Sequence, residues 1–234
     1  WFQGATIASV LGTLTAAYRW KTKKLRQRSI QLEHMVKERT KELEAEKNKS
    51  AELLHNILPA EVIKELKETG VSRPREYKTI SILFTDFMGF TNISSTLPAE
   101  RLVGELNDIF RDFDAIIEKH GLEKLKTIGD AYMIACGLPL ESEDHAVRIV
   151  KAAMEMQEYI KKRNENSSFK WQMRAGVHSG TVVAGIVGKN KFTYDVWGDT
   201  VNIASRMESE CEAGAINISP FTYDLLKEHF ECHY

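Results

Sequence analysis

Residues 25–58 read LRQRSIQLEHMVKERTKELEAEKNKSAELLHNIL, a run with no glycine and no proline. Nothing in it breaks an α-helix, so the stretch predicts one continuous helix that ends at Pro59. With Leu25, Leu32, Arg39, Glu46 and Leu53 at heptad position d, Ser29, Val36, Leu43, Ser50 and Ile57 fall at a. Six of these ten seam positions are apolar, with β-branched Val36 and Ile57 at a and leucine at d, the preference of parallel dimers. Polar Ser29, Arg39, Glu46 and Ser50 weaken the seam. A marginal coiled coil suits a rod that transmits a signal, because two registers of similar energy can be biased by a sensor. A solvated charged helix without a partner is the other reading. Ala60 to Glu68 predicts a short second helix, and Gly70 with Pro74 marks a boundary before the next region.

Upstream, WFQGATIASVLGTLTAAYRW carries one charge, Arg19, near its end. Twenty helical residues rise about 30 Å, the hydrocarbon thickness of a bilayer. Trp1 and Phe2 at one end, and Tyr18 and Trp20 at the other, stand where interfacial aromatics belong. Lys21, Lys23, Lys24, Arg26 and Arg28 follow, which by the positive-inside rule places the rest of the chain in the cytoplasm. Gly4, Ala8 and Gly12 repeat at a spacing that lets helices approach closely. A signal peptide would carry its charge before the apolar run, not after it. A buried helix of a soluble domain stays open as a reading. The expected organisation is therefore a transmembrane helix over 1–20, a basic junction and coiled coil over 21–58, a linker over 59–76 and a folded domain over 77–234. Its expected location is the cell membrane, with the folded domain cytoplasmic.

Charge excludes one class of function. Lys and Arg total 32 against 33 Asp and Glu, a formal charge of -1, which argues against a nucleic-acid binder that relies on bulk positive charge. Cys136, Cys211 and Cys232 have no CxxC spacing and predict neither a zinc site nor a disulfide framework.

After Tyr77 the texture changes. In TISILFTDFMGFTNIS a continuous apolar strand (Ile80, Ile82, Leu83, Phe84) breaks at Asp86 and Gly89, and a helix is expected from about Pro98 to His120. A carboxylate leaving a buried strand, followed by a glycine turn, suits a cation and phosphates, since free N–H groups of the turn can face phosphate oxygens. A plain capping Asp is the alternative. In LEKLKTIGDAYMIACG, Leu125–Ile128 and Ala131–Ala135 read as two short strands with Gly129-Asp130 in their turn. Strand, helix, strand, turn, strand is the order of a split βαβ arrangement, whose neighbouring antiparallel strands could bring Asp86 and Asp130 to one metal site. Two carboxylates binding two Mg²⁺ ions is the usual arrangement for displacement at phosphorus.

Four segments in order, FTDFMGFTNIS, KTIGDAYMIACGLP, MRAGVHSGTVVAGIVG and YDVWGDTVNIASRME, closely resemble the class III nucleotide cyclases, which make cyclic AMP or cyclic GMP. The resemblance covers roughly Tyr77 to Tyr234. LLHNILP looks like the segment that joins a signalling helix to such domains, and the N-terminal pattern looks like the end of a bacterial membrane sensor. The resemblance implies an α+β, ferredoxin-like catalytic domain. It implies that Asp86 and Asp130 hold two divalent cations, Mg²⁺ or Mn²⁺, assisted by the Phe87 carbonyl. Gly89, Phe90 and Thr91 would face the phosphates, and Arg174 the terminal phosphates. Asn202 would orient the ribose and Arg206 stabilise the pentavalent phosphorus, as planar guanidinium suits its equatorial oxygens. No dedicated general base is evident; a metal lowering the pKa of the 3′-hydroxyl could suffice.

The family reads its purine at two positions, here Lys126 and Asp195. A lysine donor and an aspartate acceptor match N1 and the 6-amino group of adenine. Guanine presents the opposite sense at both, and guanylyl members place Glu and a Cys-like residue there. ATP is the expected substrate and adenylate cyclase the expected activity. The family also shares each site between chains, so Asp86, Asp130 and Arg174 are expected from one subunit and Lys126, Asp195, Asn202 and Arg206 from the other. A homodimer with two equivalent sites follows, driven by a sensor region upstream on the same polypeptide. A further lysine that the family carries near the end of the domain has no match before Tyr234, and together with Trp1 at the start this reads as cropping of a longer chain.

The remainder reads as scaffold. Glu143 to Arg163 predicts an amphipathic helix with Ala146, Ile149, Val150, Ala153, Met154 and Ile160 inward. The histidines show no metal-ligand spacing, and His145 and His178 read as structural or exposed. Asn164 to Ser168 reads as a surface loop, and Lys189 and Lys191 as solvated turn residues. Three other functions compete: a sensor histidine kinase through His55, which lacks the downstream Asn- and Gly-rich ATP motifs; a guanylyl cyclase; and a silent cyclase-like domain, which would usually lose a metal Asp or the Asn/Arg pair.

Overall fold

The computed structural model describes residues 2–55, 57–167, 169–188 and 192–233, with side chains described from Tyr18 onward except His55 and Asn166. It divides into two compact units, Trp1–Asn56 and Ile57–Tyr234.

The first unit is one helix, α1 (Phe2–His55), which runs through Gly4 and Gly12 and leaves Ile57 and Leu58, expected in the helix, outside it. The seam residues Leu25, Leu32, Val36, Leu43 and Leu53 are exposed on it. A coiled-coil partner is not part of this single chain. Among the described residues no helix is long and apolar enough to cross a membrane. Most of the span expected over 1–20 lies outside the residues whose side chains are described.

In the second unit the elements follow the order α2 (Ala60–Thr69), β1 (Arg75–Phe87), α3 (Phe90–Thr96), α4 (Ala99–His120), β2 (Glu123–Ile128), β3 (Ala131–Cys136), α5 (His145–Asn166), β4 (Met173–Val187), β5 (Thr193–Trp197), α6 (Asp199–Ser209), β6 (Ile216–Ile218) and α7 (Pro220–Leu226). The strands form one sheet in the order β2-β3-β1-β4-β5, with β6 also beside β4. All pairs are antiparallel except β4 with β6. This is the expected split βαβ core: β1 and β3 lie side by side, and the two crossovers run through α4 and α5.

Alternation along the strands sorts the side chains onto two faces. Leu83, Phe87, Tyr132, Ile134, Ala175 and Val177 pack with Ile109 and Phe113 of α4, and with Ile149, Ala153 and Met156 of α5. Ile80, Ile82, Phe84, Met133, Ala135, Val182 and Ala184 pack on the opposite face with Val62 and Ile63 of α2 and Ala204 of α6. The α6 backbone reaches this face because β4 has glycine beneath it: a Cβ on Gly176 would stand 1.9 Å from the Glu208 nitrogen.

Several local expectations change. β1 continues through Asp86 to Phe87, so Asp86 is a strand residue and not the start of a turn. A separate short helix, α3, precedes α4. Ala146, Ile149, Val150, Ala153 and Ile160 are buried as expected, while Met154 is half exposed and Ala152 and Met156 are fully buried, because Met154 stands at one edge of the inward stripe of α5 and these two at the other. Asn164 is no loop residue: α5 continues past it, and its amide accepts from the Trp171 N–H at 2.8 Å and donates to the Trp171 carbonyl at 2.7 Å. Ser168, Lys189 and Lys191 lie outside the described residues.

Both His145 and His178 are buried, at the two ends of a chain of hydroxyls. His145 Nδ1 meets Ser81 Oγ at 2.7 Å, Ser81 meets Ser179 at 2.7 Å, Thr222 donates to Ser179 at 3.1 Å, Thr222 meets Ser219 at 3.1 Å, and Ser219 meets His178 Nδ1 at 2.6 Å. Four hydroxyls supply four protons for these five contacts, so at least one histidine must donate through Nδ1. With Thr222 donating to Ser179, Ser219 donates to Thr222 and the histidine donor is His178. Burial lowers the pKa of both rings, and Asp144 only partly offsets this at His145. A histidine held neutral in the fold stabilises it above the unfolded pKa of about 6.5, and that stability is lost as pH falls towards the depressed folded values. The melting temperature should therefore drop more steeply below about pH 6.5 in the native chain than in His145→Asn/His178→Asn, measured by thermal scans in parallel. Equal slopes would refute the assignment of neutral histidines.

Candidate active site

The antiparallel register of β1 on β4 sets Asp86 directly opposite Arg174, on the face that α6 covers. Their side chains meet, with Arg174 Nη2 donating to Asp86 Oδ2 at 2.8 Å. The tight turn between β2 and β3 brings Asp130 to the same place, where its Oδ2 accepts the Phe87 N–H at 3.2 Å. Burial first, and the Asp86 carboxylate second, push the Asp130 carboxyl above the usual range. This like-charge pair is what fits a hard divalent cation: two half-buried carboxylates side by side repel each other unless positive charge stands between them. Asp86 and Asp130 are the residues that would hold it. Among the described residues no group of three or more His, Cys, Asp or Glu forms a metal cluster.

Next to the carboxylates the chain turns through Gly89, whose φ of 74° lies in the left-handed region that glycine adopts without strain. Phe90 and Thr91 open α3, and helical geometry leaves their N–H groups without partners inside the helix.

A second pair forms where the sheet curls until its edge strands meet. Lys126 Nζ of β2 lies 2.5 Å from Asp195 Oδ2 of β5. Asp195 Oδ1 also accepts the N–H of Val196 at 2.9 Å, which fixes the carboxylate. Lys126 stands opposite Met133, two pairs back from the residues that flank the Asp130 turn.

Asn202 and Arg206 are exposed, one turn apart on α6. The expected residues thus fall into three groups within this chain: Asp86, Asp130 and Arg174 together; Lys126 with Asp195; Asn202 with Arg206. Among the described residues no hydrogen bond or ion pair joins one group to another. A cavity of about 1140 Å³ between α5, β6 and α7 contains none of them.

The sequence reading missed what holds Arg174. Its Nη1 donates to the Ser209 carbonyl at 2.9 Å, and its Nε lies 2.6 Å from Glu208 Oε1. The Nε–H does not point along that contact, so charge and not an aligned hydrogen bond holds the pair. Glu208 is 7% exposed, and burial raises its carboxyl pKa against the pull of Arg174. Helical spacing sets Glu208 on the stripe of Thr200 and Ala204, but its residue type argues against burial, because a Glu at the end of a helix ordinarily faces water.

A family model described as the adenylate and guanylate cyclase catalytic domain matches residues 72–234. Receptor-type guanylate cyclase gcy-28 of Caenorhabditis elegans is 38% identical over 210 residues, covering 88% of this chain and 16% of its own length. An adenylate cyclase of Mycobacterium tuberculosis is 40% identical over 190 residues, covering 80% of this chain and 43% of its own. This chain thus spans less than half the length of these relatives. The catalytic core of a rhodopsin-guanylyl cyclase with converted specificity, solved in complex with ATPalphaS, superposes with a TM-score of 0.64 at 38% identity, over 68% of this chain and 87% of that one.

Proposed function

The chain belongs to the class III nucleotide cyclases, the adenylate and guanylate cyclase catalytic family, and from that premise we propose that it converts ATP into cyclic AMP and pyrophosphate. The observation that carries the choice of ATP is the Lys126–Asp195 pair. It sets a donor beside an acceptor, and with Lys126 towards N1 and Asp195 towards the 6-position, the orientation that the family resemblance implies, the pair matches the acceptor and donor of adenine. Against guanine each would meet a group of its own sense, and unpaired polar groups in a site discriminate strongly.

In this reading the 3′-hydroxyl releases its proton to solvent and its oxygen attacks the α-phosphorus in line; the new bond to phosphorus forms as the bond to the bridging oxygen breaks, and that oxygen leaves on pyrophosphate. Arg174 neutralises the departing pyrophosphate, Arg206 stabilises the equatorial oxygens, and Asn202 orients the ribose. Divalent cations bound at Asp86 and Asp130, with the Phe87 carbonyl, would supply charge neutralisation and a more acidic 3′-hydroxyl. The exposure of Asn202 and Arg206 supports a site completed by a second chain, and hence a homodimer. The exposed apolar seam of α1 supports a parallel coiled coil as its lead-in. Attachment to a cell membrane, a cytoplasmic catalytic unit and control by an upstream sensor belong to the same proposal, and rest on the apolar run to Trp20 and the basic cluster Lys21–Arg28.

GTP is the second reading. By overall likeness it has the stronger support, because guanylate cyclases recur among the curated relatives and the solved structures. Parallel assays with ATP and GTP, each with Mg²⁺ and Mn²⁺, separate the two. Cyclic AMP should form with a kcat/KM at least about a hundredfold above that for cyclic GMP. A preference for GTP would overturn the ATP assignment and leave the family intact.

A further inference from the structure

A buried glutamate at the end of a helix needs a reason. A carboxylate taken out of water is destabilising unless it is compensated, and a well-packed apolar side chain in its place is often no worse for stability. Glu208 nevertheless lies under the last turn of α6, pressed onto Gly176 of β4, with the neighbouring Met207 carbonyl held by Asn217 Nδ2 at 3.0 Å. Its ion-pair partner is Arg174, while Asp86 and Asp130 lie close enough to oppose its charge. Arg174 in turn spans Asp86 Oδ2, the Ser209 carbonyl and Glu208 Oε1, so the guanidinium is gripped on three sides. Asp86 alone would pull it flat against the carboxylates; Glu208 and Ser209 draw it back towards α6.

We propose that Glu208 is a positioning residue: its charge holds the Arg174 guanidinium at the height above Asp86 from which it meets the terminal phosphates. The proposal rests on the reading of Arg174 as a phosphate contact. It also gives α6 two duties, since the helix that presents Asn202 and Arg206 outward anchors Arg174 with its last two residues, Glu208 and Ser209.

The test is a cycle of Glu208→Gln, Glu208→Asp, Arg174→Ala and the double variant Arg174→Ala/Glu208→Gln in the full chain. Dimerisation and melting temperature are followed beside kcat and KM for whichever nucleotide is turned over. Glu208→Gln keeps the shape and removes the charge; it should lower kcat/KM about tenfold to a hundredfold with the dimer intact. Glu208→Asp should recover part of that loss. In the Arg174→Ala background, Glu208→Gln should cost nothing further, because its effect runs through the arginine. Additive losses in the double variant would overturn the proposal while leaving Arg174 in place. An Arg174→Ala chain of native activity would sink the phosphate-contact reading and the proposal together.

A second readout uses mixed dimers in which one chain carries Asp86→Ala and the other Asn202→Ala. Their live site draws Arg174 from the Asn202→Ala chain. Glu208→Gln should impair turnover when placed on that chain and not when placed on the other. Equal impairment from both placements would mean a general disturbance of α6 and would overturn the positioning role.

Discussion

Asp86→Ala is expected to abolish cyclic-nucleotide synthesis, by about a thousandfold or more, because it removes one of the two carboxylates that would hold the cations and the partner of Arg174. Asn202→Ala should also be severely impaired, through loss of ribose orientation. The informative experiment mixes the two. Random pairing makes half of the dimers mixed, and each mixed dimer has one site with both residues intact, so the mixture should regain about a quarter of native activity. No such recovery is possible if Asp86 and Asn202 of one chain serve the same site. A mixture that stays dead while both chains still dimerise would therefore reject the shared site. Strong activity in either chain alone would reject the role given to its missing residue.

Lys126→Glu with Asp195→Cys is the change with the next largest expected effect. It replaces a donor by an acceptor opposite N1 and removes the charged acceptor opposite the exocyclic group, so the ratio of kcat/KM for GTP over ATP should rise by about a thousandfold. Total activity can fall without harming the argument, since the ratio is what the base edge sets. An unchanged ratio would show that these two side chains do not touch the base.

Much of this molecule was legible from the residue pattern, and the exceptions share a cause. The strands carrying Asp86 and Asp130 were readable because a buried strand is a short apolar run and a tight turn announces itself by Gly129-Asp130. The long helix was readable from Leu25 onward because neither glycine nor proline interrupts it there. What could not be read was register. That Asp86 faces Arg174 depends on how β1 is set against β4, and sliding the pair by one residue would put the two side chains on opposite faces. The meeting of Lys126 with Asp195 depends on the curl of a whole sheet, which no local window contains. Glu208 is hidden for a related reason: its burial comes from a glycine 32 positions earlier on another strand. The hydroxyl chain likewise joins Ser81, Ser179 and Thr222 from three elements, each of them unremarkable in its own segment.

The curl that joins β2 to β5 has an evolutionary consequence. The side chains proposed to choose the nucleotide are also the clasp between the two edges of the sheet, so nucleotide preference and closure cannot drift independently. A lineage that acquires Glu at position 126 first sets two acids against each other across the clasp. One that acquires Cys at position 195 first merely leaves a lysine that water can solvate. The two orders of substitution lead to the same pair of residues, but only the second avoids a like-charge intermediate, which makes a change of substrate in this fold a path with a preferred first step.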